Sequence, residues 1–159
     1  MSAAAAPPGA LVDVNAEARA AGNRRPEAVQ IGRALLARTW PAQVTKIRVD
    51  GAGSHEVAGL VLSGVKFHGP LDAAGFTAEV AQLVRRTFAA GGVEEVDVWT
   101  TVPLDVAHGQ VVAGDFAMPT SRIVFSVTVR RDGLADLERR LRTGDGVYWA
   151  ADWKATLGS

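Results

Sequence analysis

The chain has 159 residues, of which 48% are apolar, and its 17 basic residues balance its 17 acidic ones. It contains no cysteine, which excludes disulfides, zinc–thiolate sites and thiol nucleophiles. The zero formal net charge gives no overall attraction to nucleic acid or to an anionic membrane, and no stretch approaches the ~20 apolar residues of a membrane span.

Residues 1–24 are rich in Ala, Pro and Gly and show no sustained hydrophobic period. We therefore expect a flexible Ala/Pro-rich tail, followed by a single α+β domain over residues 25–159. The first eight residues lack the basic and apolar regions of a signal peptide. This favours a cytoplasmic protein, and leaves open a periplasmic one whose signal peptide has been removed.

The first structured element is predicted to be a helix that begins at Pro26 and ends at Trp40-Pro41. Alternation over residues 44–49 and an apolar run over 57–67 predict two strands, which the turn residues 50–53 join as a hairpin. Since the second run is apolar on both faces, we expect a central strand. Its two glycines, Gly59 and Gly64, indicate a bulge or a close backbone approach.

The clearest helix in the sequence begins at Asp72 and ends at Gly91. A period of 3.6 residues places Phe76 and Phe88 on the inner face and Glu79 on the outer one. Pro70 and Asp72 introduce this helix, and glycine commonly ends one.

Two more strands are predicted, over residues 93–102 and 121–131. The inward positions of the second one are Ile123, Phe125, Val127 and Val129. Asp132 is expected to cap a last helix that ends at Gly144. The aromatic residues that follow are expected to dock on the domain: Tyr148, Trp149 and Trp153.

The predicted order is therefore helix, strand, strand, helix, strand, strand, helix. Strand pairs that alternate with single helices favour an α+β two-layer sandwich. We expect a mainly antiparallel four-stranded sheet with about three helices on one face. Many unrelated proteins share such an architecture, so the fold alone predicts no function.

The connection over residues 103–120 is unusually long, and long connections in compact domains tend to be functional. It leads into Arg122 at the start of the fourth strand, where a guanidinium could bind a carboxylate or phosphate. The alternative is a small structural hairpin. The residues that would form a binding surface here are His108, Asp115, Phe116, Met118 and Arg122.

Other functional patterns are weak. The three histidines have no metal-site spacing, so we predict no metal and no cofactor. No serine lies in a nucleophile-elbow pattern, and no glycine-rich segment has the Lys-Ser/Thr of a phosphate loop. Trp99 could be exposed on the third strand, but Glu95 and Asp97 beside it would repel phosphate, so nucleic-acid binding is disfavoured.

These observations favour a small non-catalytic binding or assembly domain. Its sheet face, with Trp99, or the 103–120 loop would contact a protein or a small ligand, and a homo-oligomer is left open. The alternative is an enzyme whose site lies where the loop meets the sheet. That site would use His68 or His108 together with Asp115 and Arg122.

Overall fold

The computed structural model of the protein describes residues 26–104 and 121–158. Within them it has four α-helices and one five-stranded sheet. The helices are α1 Pro26–Leu36, α2 Ala73–Ala90, α3 Leu137–Thr143 and α4 Ala151–Thr156. The strands are β1 Ala42–Asp50, β2 Val57–Phe67, β3 Glu95–Pro103, β4 Ser121–Arg130 and β5 Val147–Trp149. The expected tail, residues 1–24, lies outside the described residues.

The strands lie side by side in chain order, from β1 to β5. Strands β1 and β2 form the predicted antiparallel hairpin, β3 pairs antiparallel with β4, and β4 with β5. Strands β2 and β3 are parallel, because α2 between them returns the chain to the edge where β2 began. The α+β class is confirmed. The expectation of a mainly antiparallel four-stranded sheet is corrected to a five-stranded mixed sheet, with β2 and β3 inside it.

Helix α2 supplies most of the helical side of the core. It starts directly after Asp72, whose side chain caps it by accepting a 2.6 Å hydrogen bond from the Gly75 N–H. The helix ends at Gly91, whose N–H donates to the Thr87 carbonyl. Phe76, fully buried, meets Phe125 of β4 edge-to-face at a centroid distance of 5.0 Å.

The C-terminal segment completes the core, as expected for its tryptophans. Trp153 is 5% exposed, and its indole N–H donates a 2.9 Å hydrogen bond to the Gly64 carbonyl. Trp149 packs against Phe125 at 4.8 Å between ring centroids. Tyr148 does not dock, since it is 50% exposed. Asp132 does not cap α3, which begins five residues later, after a 3-10 segment over Arg131–Asp136.

A bulge in β4 reverses one predicted orientation. Thr100 of β3 pairs with Phe125, whereas its neighbour Thr101 pairs with Ile123, so Val124 is an extra residue on β4. Val124 is buried and Ile123 is 46% exposed. The prediction that Ile123 lies in the core is therefore wrong. Phe125 and the alternate positions after it are buried as predicted.

Glu79 was expected on the outer face of α2, and it is 5% exposed. Both of its carboxylate oxygens accept from the backbone N–H of Ala42, at 3.0 and 3.2 Å. Burial raises the pKa of Glu79 from 4.5 to about 7, although the Ala42 hydrogen bond and the charge of Arg38 oppose this. Glu79 lies on the inner face because it follows Phe76 by three residues and so shares its helix face.

Candidate functional site

Side chains of alternate strand residues point away from α2 and form what we call the open face of the sheet. Because β3 alternates regularly, its inward residues are buried and its outward residues are half-exposed. The pairing register then assigns the outward residues of the other strands. The open face includes Lys46, Arg48, Asp50, Val57, Gly59, Val61, Ser63, Glu95, Asp97, Trp99, Thr101, Ile123, Ser126, Thr128, Arg130 and Tyr148.

The centre of the open face is apolar and aromatic. Trp99 pairs with Val61 on one side and Ser126 on the other, and Ser126 pairs with Tyr148. The Trp99 indole lies directly over Gly59, where an added Cβ would approach its ring to 2.9 Å. This glycine therefore leaves room for a flat tryptophan on the sheet, which is the close approach that the sequence indicated.

Charged residues flank this apolar centre on separate strands. Lys46 and Arg48 lie on β1, and Arg48 is 3.2 Å from Asp50. Glu95 and Asp97 lie on β3, across β2 from the basic residues. The open face thus has basic residues on the edge strand β1 and acidic residues on β3, and Arg130 of β4 lies beside Glu95.

Asp97 is only partly exposed on the open face. Desolvation raises its pKa from 3.8 to about 6; Glu95 adds to the rise and a hydrogen bond from Thr128 opposes it. Its Oδ1 atom is buried and has no hydrogen-bond partner among the described residues. A carboxyl group in this setting is protonated more readily than usual, because burial disfavours its negative charge and the neighbouring carboxylate adds to this effect.

The predicted site residues do not form one cluster in the described part of the chain. Trp99 lies on the open face, as proposed for it. Arg122 pairs with Val102, whose side chain is buried on the other face. Its guanidinium is bound to the carboxylate of Asp152 in α4 and holds the pKa of that carboxyl below its usual range.

The remaining residues of the predicted site are His108, Asp115, Phe116 and Met118, and all four lie outside the described residues. His68 of the enzyme alternative is exposed just after β2, where its N–H donates to the Pro41 carbonyl. Arg122 is the second residue of β4, and β3 lies between β4 and the strand that His68 follows.

Sequence reasoning missed three members of the open face: Val61, Ile123 and Tyr148. A signal existed for Val61, because the pattern of β2 was recognised as apolar on both faces. Ile123 was hidden by the bulge. Tyr148 lies in a strand of three residues, which is too short to show alternation.

A second candidate lies on the helical side of the sheet, between α2 and the C-terminal segment. This helix groove has a volume of about 630 Å³. Its α2 wall consists mainly of small residues, and Leu141 and Trp149 line the opposite side. The α2 wall includes Ala73, Ala74, Thr77, Ala78 and Ala81. The charged residues that line the helix groove are Arg85, Glu138, Arg142 and Lys154.

In residues 26–104 and 121–158, no group of three or more His or acidic side chains is arranged to hold a metal ion. No helix in these ranges combines the length and apolar character that crossing a bilayer requires. No protein-family model, curated protein or solved structure matches the chain. The candidate function therefore depends on the two surfaces themselves.

Proposed function

We propose that the protein is a non-catalytic assembly domain, and that its open face pairs with a second copy of the chain. In this view the sheet and its helices form two layers, and the sheet face that no described helix covers is the interaction surface. The observation that carries the proposal is the exposure of Ile123 and Tyr148, at 46% and 50%, beside Trp99 on that face. Exposed apolar patches of this kind mark interaction sites more often than scattered single residues do.

The size of the open face supports a dimer of modest affinity. Four strands with about seven paired residues each and β5 with three, about 4.8 Å apart and with roughly 3.3 Å per residue, span an area of roughly 500 Å². Complete overlap of the two faces would bury about 1,000 Å², which is near the lower limit for specific interfaces, and a narrower overlap centred on β2 would bury less. We therefore expect a dissociation constant in the micromolar range rather than the nanomolar range.

The charges of the open face favour a second copy as the occupant. Arg48 on β1 and Glu95 and Asp97 on β3 lie on opposite sides of β2. A two-fold axis along β2 would bring β1 of each copy over β3 of the other, so that Arg48 faces Asp97 at the same register level twice. Trp99 would then lie inside the contact, and β4 and β5 would lie at its margin. Such an isologous contact is the usual arrangement in homodimers. The face has no excess of positive charge that would favour nucleic acid.

The proposal is tested by sedimentation velocity from about one to several hundred micromolar, a range that brackets the expected dissociation constant. Arg48→Glu and Asp97→Arg should each weaken the dimer, because the register places Arg48 opposite Asp97 of the second copy and each change puts like charges there. An equimolar mixture of the two variants should restore it as a heterodimer. Arg33→Glu makes the same charge change on an exposed position of α1 and should leave the dimer intact.

A chain that remains monomeric throughout this range would refute self-association. Failure of the mixed variants to recover the dimer would show that β1 does not face β3 of the second copy. Either result would assign the open face to another occupant, such as a different protein or another segment of this chain.

No described observation favours the enzyme alternative. Of its four residues, Arg122 is bound by Asp152 and His68 is exposed beyond β2. The other two, His108 and Asp115, lie outside the described residues. The binding role of the 103–120 loop stays a prediction for the same reason.

A further inference from the structure

The helix groove is concave, unlike the open face, and lies on the opposite side of the sheet. It exists because α2 presents small side chains such as Ala74 and Ala78 at the place where α3 and β5 face it. Trp149 forms part of its apolar lining and remains half-exposed. Its volume of about 630 Å³ falls within the roughly 300–1,000 Å³ of small-molecule sites.

The charge of the groove is positive, since three cationic side chains line it and one carboxylate opposes them. Arg85 is engaged in an ion pair with that carboxylate, Glu138. Arg142 has no ion pair or hydrogen bond among the described residues, whereas Arg139 beside it on α3 binds two aspartates. Lys154 lies with its ammonium 4.9 Å from the centre of the Trp149 ring.

We propose that the helix groove binds a small amphipathic anion, with an apolar body and a single carboxylate or sulfonate-like head. The body packs against Trp149 and the alanines of α2, and the head is held by Arg142 and Lys154. Arginine suits this role because its planar guanidinium binds an anionic group through two hydrogen bonds.

A partner helix is a poorer fit to the groove than a small molecule. A helix with its side chains is about 10–12 Å across, so even two turns occupy more than this volume. The inference does not depend on self-association through the open face, because the two surfaces lie on opposite sides of the sheet.

The site is tested on the full chain by titration with the fluorescent anion anilinonaphthalene sulfonate. We expect saturable binding of one probe per chain, weakened by added salt because the charges are near the surface. Octanoate should displace the probe, whereas octylammonium, which has the same chain and the opposite charge, should not. The probe thus tests an aromatic apolar body, and octanoate tests an aliphatic one.

Variants locate the bound probe. Ala78→Phe places a ring in the groove from an exposed helix position and should weaken binding at least about tenfold, because the ring occupies the α2 wall on which the apolar body of the ligand packs. Ala89→Phe makes the same change elsewhere on exposed α2 and should have no effect. Arg142→Gln and Lys154→Gln should each weaken binding about three- to tenfold, and the control Arg33→Gln should not.

Circular dichroism and thermal melts establish that Ala78→Phe is folded. Unchanged affinity in this folded variant would overturn the assignment, because the probe would then lie elsewhere. Equal competition by octylammonium would overturn the choice of an anion. If Ala78→Phe does not fold, Arg142→Gln and Lys154→Gln test whether the probe binds in the helix groove. Unchanged binding in both variants would refute the site.

Discussion

Replacing Glu79 by glutamine should stabilise the protein at high pH and have little effect at low pH. The side chain is 5% exposed, and its pKa is raised from 4.5 to about 7, mainly by desolvation. Between these two values the folded protein binds more protons than the unfolded chain does. Stability therefore falls as pH rises through this window, which is the opposite of the usual behaviour of a salt-bridged carboxylate.

The expected size follows from the same two values. Their difference of about 2.5 pH units corresponds to about 3 kcal/mol of unfolding free energy once the pH is above both values. Glutamine removes this charge and keeps an oxygen that can accept from the Ala42 N–H. We therefore expect Glu79→Gln to be about 2–3 kcal/mol more stable than wild type at pH 8, and to gain less than about 1 kcal/mol at pH 5.

Urea unfolding of both proteins from pH 5 to pH 8 measures this difference. Asp97 also has a raised pKa, but its value of about 6 confines most of its effect to lower pH, so Glu79 dominates the slope above pH 6. Glu138→Gln is the control, since it removes one negative charge from an exposed surface ion pair, which is worth at most about 1 kcal/mol. Parallel pH profiles for Glu79→Gln and wild type would refute the buried-carboxylate explanation.

Three further predictions concern packing and the Arg122 ion pair. Phe125→Ala should cost about 3–5 kcal/mol in urea unfolding, whereas Ile123→Ala, on the open face, should cost less than about 1 kcal/mol; equal losses would place both residues in the core. Gly64→Ala should lower the melting temperature clearly, because the new Cβ would lie 2.6 Å from a valine methyl group, and Gly92→Ala, with open space, should not. Arg122→Ala should change the unfolding free energy by no more than about 1 kcal/mol, because its ion pair is exposed; a larger loss would mean that the pair holds α4 on the domain.

The sequence was informative wherever a long element repeats one pattern. Helix α2 has a capping aspartate, a terminal glycine and an apolar stripe, and all three predict its bounds within about two residues. The central position of β2 followed from its being apolar on both sides. These signals are local, because each depends only on residues of the element itself.

The pairing direction of the inner strands is not a local property. Two strands that are joined by a helix can pair with each other in parallel. Alternatively, each strand can pair only with its own hairpin partner. The predicted order of elements was close to the structure, yet it did not decide between these arrangements. Contacts between residues far apart in the chain, such as Val61 with Trp99, decide it.

The candidate interaction surface was harder to predict than the core, for reasons that differ among its residues. The position of Trp99 was found, because β3 alternates without interruption. Ile123 was assigned to the core, because alternation was continued through Val124, and a bulge of one residue reverses every assignment beyond it.

The C-terminal segment contributes to both surfaces, and its local sequence does not reveal the orientation of its side chains. In β5, Tyr148 points to the open face while Trp149, its neighbour, packs on Phe125 and lines the helix groove. Consecutive residues of a strand necessarily serve opposite faces. Three residues cannot reveal which face each one serves until β4 fixes their register. The residues that complete both surfaces thus come from the segment with the weakest local pattern, and their orientation follows from tertiary pairing.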